Sequence, residues 1–194
     1  MKNKVWIIIA VVFVAIMIMA AALYPKLSEK YFANETSDNS AEEKPNNTPS
    51  EAVVQADDFT VYDSEMNEVK LSDNFGKPIV INFWASWCSP CKSELPAFDA
   101  MYEKYNDKVV FMMINLTDGY NETVNGVKEF VLDSGYSFPV YYDTKYDAAN
   151  TYGIYSIPET VFINADGSIY HIQLGAMSEV VLENYIKQMI GEEQ

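Results

Sequence analysis

The 194 residues contain two cysteines and one histidine, a scarcity that tells against a structural zinc site. A structural zinc site needs four ligands, and Cys88, Cys91 and His171 supply three at most. No cysteine follows the N-terminal apolar run, which excludes a lipid-modified cysteine as an anchor. Positive charge is also short. Thirteen Lys and Arg stand against 28 Asp and Glu, a net charge of −15. So acidic a chain is no nucleic-acid binder, and it has no basic patch to hold anionic lipid. Core-forming residues are plentiful, with 49% hydrophobic and 14% aromatic, so the chain is not disordered as a whole.

Residues 1–24 read as a membrane signal-anchor. Met1-Lys2-Asn3-Lys4 is positive, and residues 5–24 then run without a charge, about the 20 residues a spanning helix needs. The two lysines should stay cytoplasmic and send the rest to the outer side. Ala20-Ala21-Ala22 offers a rival cleavage site, but the run exceeds the apolar core of a signal peptide. Residues 25–55, rich in Asn, Ser, Glu, Pro and Thr, cannot bury enough surface to offset their ordering entropy and read as a flexible linker. Residues 56–194 remain as one folded domain.

The two cysteines stand two residues apart, in Trp84-Ala85-Ser86-Trp87-Cys88-Ser89-Pro90-Cys91-Lys92. Residues 78–83 before them form an apolar run that reads as a buried strand, and 89–105 have the spacing of an amphipathic helix. A Cys-x-x-Cys at a strand-to-helix junction is the pattern of a dithiol/disulfide redox site. Cys88, at the helix start, meets free N–H groups and the positive end of the dipole, which favour a thiolate. Cys91 sits one turn further in, close enough to close a disulfide and better shielded. A purely structural disulfide across so short a loop would constrain little of the unfolded chain.

The segment Phe83-Trp84-Ala85-Ser86-Trp87-Cys88-Ser89-Pro90-Cys91-Lys92-Ser93-Glu94-Leu95-Pro96 resembles the active-site segment of the thioredoxin superfamily, and within it the membrane-tethered TlpA/ResA/CcmG-type thiol-disulfide oxidoreductases. The resemblance runs from about Ala56 to the C-terminus. It implies an α/β thioredoxin-like fold: a central mixed sheet flanked by helices, an N-terminal hairpin over 58–71, and an extra helix and strand inserted before residue 152. Asn82 stands where thioredoxin carries a buried aspartate. Glu94 matches the glutamate that TlpA/ResA-type proteins place after the second cysteine, and its i, i+3 spacing from Cys91 puts both on one helix face. A surface ion pair of Glu94 with Lys92 or Lys104 is the plainer alternative. Ile157-Pro158 matches the cis-proline that thioredoxin-fold proteins set against the disulfide, and Pro158-Glu159-Thr160 resembles the CcmG-like branch.

The candidate site is therefore Cys88, Cys91 and Glu94 for catalysis, with Trp87, Ile157 and Pro158 for substrate binding, no metal and no cofactor. The implied activity is reduction of disulfides in extracytoplasmic proteins, with a CcdA/DsbD-like membrane protein as electron donor and a cytochrome c precursor as one substrate. Three rivals are weaker. A thiol peroxidase needs Thr or Ser three residues before its attacking cysteine, and Ala85 stands there. A Sco-like copper module spaces its cysteines three apart and adds a histidine. A module that only docks partners would keep the disulfide without turnover. Met112, Met113 and His171 read as core or strand residues rather than copper ligands.

Overall fold

The computed structural model describes residues 53–192, together with Met17 and Met19, which are helical and exposed. The chain divides into two units, Met1–Pro49 and Ser50–Gln194, and the elements that follow belong to the second. The expected anchor, residues 5–24, lies outside the described residues apart from those two methionines, as does the linker up to residue 52. Among the described residues no helix is long and apolar enough to cross a membrane.

The elements run β1 (Thr60–Tyr62), β2 (Glu68–Lys70), a 3₁₀ turn (Leu71–Asn74), β3 (Ile79–Trp84), α1 (Ser89–Tyr105), β4 (Val110–Asn115), α2 (Val124–Ser134), β5 (Val140–Tyr142), α3 (Asp147–Thr151), β6 (Glu159–Ile163), β7 (Ile169–Leu174) and α4 (Glu179–Ile190). They build a seven-stranded sheet in the order β2-β1-β5-β4-β3-β6-β7. Strands β3, β4 and β5 are parallel, while β1, β2, β6 and β7 join antiparallel. This is the thioredoxin-like α/β fold expected above, with a mixed sheet at its centre.

Alternation along the central strands sorts side chains to two faces. Ile79, Ile81 and Phe83 of β3 pack with Met112, Ile114, Val161 and Ile163 against Phe59, Val61, Leu71 and Ala148. Val80 and Trp84 face the other way with Phe111, Met113 and Phe162, under Leu95, Phe98 and Met101 of α1, Val127 of α2, and Leu182 and Ile186 of α4. Each such fully buried side chain contributes roughly 1.5–3 kcal/mol. Asn82 lies between Val80 and Trp84, so the same alternation turns it toward α1. Met112 and Met113 are both fully buried on opposite faces of the sheet, as core residues. His171 stacks on Tyr185, with ring centroids 4.5 Å apart.

Helix α1 follows its predicted bounds, while α2, which the spacing of Val124, Val127, Phe130 and Val131 predicts over 122–134, begins two residues later. Thr123 caps it, its hydroxyl accepting the Gly126 N–H at 3.1 Å, which leaves Glu122 in the preceding loop. Gly135 ends α2 at φ 73°, the left-handed conformation that glycine adopts without a Cβ clash. Helix α3, expected over 145–152, is shorter. Val54 and Gln55, read as linker, pair with the domain: the Val54 carbonyl accepts the Ile169 N–H at 2.8 Å, and Gln55 bridges to Ser168.

Candidate active site

Parallel β3 ends at Trp84, and the chain turns through Ala85–Trp87 before α1 begins. Cys88 is the N-cap of α1, with extended backbone, and its Sγ accepts the Cys91 N–H at 3.2 Å. Pro90 follows in the first turn, where a missing N–H costs no helical bond. Cys88 and Cys91 form a disulfide with Cα atoms 5.3 Å apart. Cys91 is fully buried and Cys88 is 5% exposed, so the bond presents little more than the edge of one sulfur to solvent. The nucleophile expected to be open is thus largely covered in the oxidised form. Part of the cover is the loop before β6. The Ile157–Pro158 peptide bond is cis, and the Ile157 carbonyl oxygen lies 3.7 Å from Cys88 Sγ. The Pro158 carbonyl in turn accepts the Gly175 N–H at 2.9 Å. Trp87, which precedes Cys88 in the chain, has 59% of its surface exposed, and Ile157 is half-buried.

Glu94 lies inside the domain, 1% exposed. One carboxylate oxygen accepts from Asn82 Nδ2 at 2.9 Å and the other from the Met177 N–H at 3.0 Å. Asn82 also donates to Thr160 Oγ1 at 3.0 Å, while its own Oδ1 is buried without a partner. The surface ion-pair alternative is settled: Lys104 pairs instead with Glu183 at 2.7 Å. Burial pushes the Glu94 carboxyl up from its ordinary value, and the bonds from Met177 and Asn82 oppose that rise. A carboxyl so placed exchanges protons at a higher pH than an exposed glutamate. Its spacing sets it one helical turn beyond Cys91, beside the dithiol.

A second buried carboxylate stands on the other flank. Glu122, 2% exposed, accepts the Ser86 N–H at 2.6 Å, the Ser86 hydroxyl at 2.7 Å and Asn115 Nδ2 at 2.7 Å. The sequence pattern puts Glu122 at the start of a helix and assigns it no role. Its partner Ser86 is 36 residues away, and no local spacing links the two. The same holds for Met177, whose N–H reaches Glu94 from 83 residues downstream.

The arrangement can do disulfide exchange: a cysteine pair at a helix start, a proton-exchanging carboxyl behind it, and an exposed indole and backbone carbonyl in front. Comparison with known proteins agrees. Residues 53–172 match the AhpC/TSA family. The chain is 31% identical over 176 residues to the thiol-disulfide oxidoreductase ResA of Bacillus thuringiensis (strain Al Hakam), covering 91% of this chain and 93% of that protein. Among solved structures, StoA from Bacillus subtilis superposes with a TM-score of 0.59 at 28% identity, over 68% of this chain and 97% of StoA. A Chlorobium tepidum structure described as a DsbE-type thiol:disulfide interchange protein gives 0.64 at 27% identity, over 72% and 97%. The chain therefore belongs to the AhpC/TSA family of the thioredoxin superfamily, and within it to the ResA-type thiol-disulfide oxidoreductases.

Proposed function

We propose that this oxidoreductase works as a protein-disulfide reductase on the extracytoplasmic side of a membrane, held there by residues 1–24 and the linker that follows. The observation that carries the direction is Glu94, buried beside the dithiol with neutral partners alone. Strong oxidants of this fold stabilise their reduced form through a very acidic thiolate. A carboxylate beside the dithiol repels a thiolate, which makes the reduced state less favourable and the protein a better electron donor.

In the reaction so read, the Cys88 thiolate attacks one sulfur of a partner disulfide and expels the other as a thiolate. A mixed disulfide results. The Cys91 thiol then gives its proton to the Glu94 carboxylate and attacks Cys88 Sγ. The second partner sulfur leaves as a thiolate and takes up a proton. The first expelled thiolate takes its proton from solvent and the second takes the one held by Glu94. The partner thus gains two electrons and two protons, and the enzyme is left as the Cys88–Cys91 disulfide with Glu94 again a carboxylate. Two electrons from a CcdA/DsbD-like membrane donor restore the dithiol. Trp87 and the Ile157 carbonyl are the surfaces against which an extended partner segment would lie. A cytochrome c precursor, whose Cys-x-x-Cys-His must be reduced before haem is attached, is one fitting substrate.

Cys91→Ala, expressed in cells as the full chain, tests this reading. The expected result is a reductant-sensitive mixed disulfide at Cys88 with extracytoplasmic proteins, in membranes washed with high salt. Trapping of cytoplasmic proteins alone, or a soluble mature form beginning near Ala22, would contradict it.

A further inference from the structure

The Cys88–Cys91 disulfide, while closed, fixes Cys88 to α1. Once the bond is reduced, that constraint is gone, and the segment from Ala85 to Cys88 keeps only its non-covalent ties. The Cys88 N–H reaches the Ala85 carbonyl at 3.2 Å. The strongest remaining tie is at Ser86, whose N–H and hydroxyl both end on the Glu122 carboxylate. Glu122 is itself held on two sides. Asn115, the last residue of β4 and fully buried, donates to it at 2.7 Å and also accepts from the Thr117 hydroxyl at 2.7 Å. The loop that carries Glu122 closes on Asp118, whose Oδ1 accepts the N–H groups of Tyr120 at 2.7 Å and Glu122 at 2.9 Å. These bonds hold the Asp118 carboxyl down at about 2, so the loop stays closed across the neutral range.

A buried carboxylate is costly unless its acceptor sites are filled. Glu122 meets that condition with three neutral donors and no cation, two of them from one residue of the cysteine-bearing loop. We infer that Glu122 is a positioning residue: through Ser86 it fixes where Cys88 stands in the reduced and mixed-disulfide states. It governs how readily Cys91 reaches Cys88 Sγ to close the ring. Attack on sulfur depends on approach geometry, and misplacement by about 1 Å costs on the order of a hundredfold in rate.

The inference rests on the oxidoreductase chemistry, not on the reductase direction or on any partner. Its test therefore uses glutathione and the full chain in detergent. The reduced Cys88 thiolate attacks oxidised glutathione, keeping one glutathionyl group as a mixed disulfide and expelling the other as a thiolate, and release of the bound group is timed as Cys91 displaces it. The glutathione thiolate leaves and is protonated by solvent. Glu122→Ala leaves three donors, two on half-buried Ser86 and one on buried Asn115, without their acceptor and should slow release at least about tenfold. Glu122→Gln keeps the geometry: its oxygen can accept from the Ser86 N–H and Asn115, and its NH₂ can donate to the Ser86 hydroxyl. Release should then stay within about threefold of the parent, with an unchanged pH profile. Ser86→Ala, which removes one bond and should fold, should fall between. Glu122→Gln as slow as Glu122→Ala with a shifted pH profile would mean that the charge acts, and would overturn the inference. So would parental release from both Glu122→Ala and Ser86→Ala. Failure of the reductase reading would leave all these rates in the same order.

Discussion

Glu94→Gln separates the charge at the centre of the site from its shape. The amide can be accommodated: Asn82 Oδ1 is buried without a partner, so a turned Asn82 amide could accept from the new NH₂ group. The electrostatic consequence follows from spacing. Residues three apart on a helix have Cβ atoms roughly 5–6 Å apart, and Cys88 Sγ lies somewhat beyond Cys91, at roughly 8 Å. Two unit charges at that distance, in an effective dielectric of about 20, repel by roughly 2 kcal/mol. Burial raises the Glu94 carboxyl, and any proton it takes up reduces this repulsion. Removing it should speed alkylation of Cys88 in the reduced protein by about tenfold at pH 7, since 1.4 kcal/mol is a factor of ten. Resolution of a mixed disulfide should slow, because Cys91 loses its proton acceptor. The assay is iodoacetamide labelling followed by mass spectrometry from pH 5 to 9. Stability supplies a second readout. A carboxyl raised in the folded state stabilises fully below its unfolded value and loses that contribution as pH rises through the folded value. Each tenfold gain in proton affinity on folding costs about 1.4 kcal/mol at neutral pH, so the parent should lose more stability between pH 5 and 8 than Glu94→Gln. Alkylation rates equal within twofold, or slower in the variant, would refute the reasoning.

Three further outcomes are expected. Asn82→Asp puts a second carboxylate against Glu94, so urea unfolding should show a loss of about 2 kcal/mol at pH 8 that shrinks at pH 5, where the pair holds a proton; a pH-independent loss would argue against the contact. Hydrogen bonds from Lys104 and Tyr105 hold the Glu183 carboxyl down at about 2, so its contribution is present above 4.5 and lost as pH falls toward 2. Glu183→Gln should therefore flatten the acid limb of the stability profile while disulfide exchange at pH 7 stays at the parental rate; an unaltered acid limb counts against it. With Ala85 where a peroxidase needs Thr or Ser, consumption of hydrogen peroxide should be negligible in a coupled assay, and efficient turnover would reopen that class.

Much of this site was legible because its main determinants are local. Cys88, Cys91 and Glu94 lie within seven consecutive residues, so the start of one helix defines their relation. The apolar run over 78–83 announced a buried strand, found at Ile79–Trp84. The alternation of β3 also explains why Asn82, an amide among apolar neighbours, ends up against Glu94. What could not be read depends on contacts distant in sequence. Glu122 meets Ser86 only because parallel β3 and β4 bring their C-terminal ends side by side, with Trp84 opposite Asn115. Met177 reaches Glu94 through the turn between β7 and α4. The apolar spacing alone leaves the start of α2 ambiguous by two residues, and the Thr123 cap decides it. The near-complete burial of Cys88 was likewise hidden, since the Ile157–Pro158 loop that covers it arrives 69 residues later.

The central claim is direction, and the reduction potential of the Cys88–Cys91 couple tests it most directly. Equilibration of the protein with defined thiol/disulfide buffers at pH 7, read by alkylation, gives that potential. A carboxylate opposing the thiolate predicts a value near that of thioredoxin, about −270 mV, or below it. A value near the oxidising end of the fold's range, about −120 mV, would contradict the account and make the protein an oxidant.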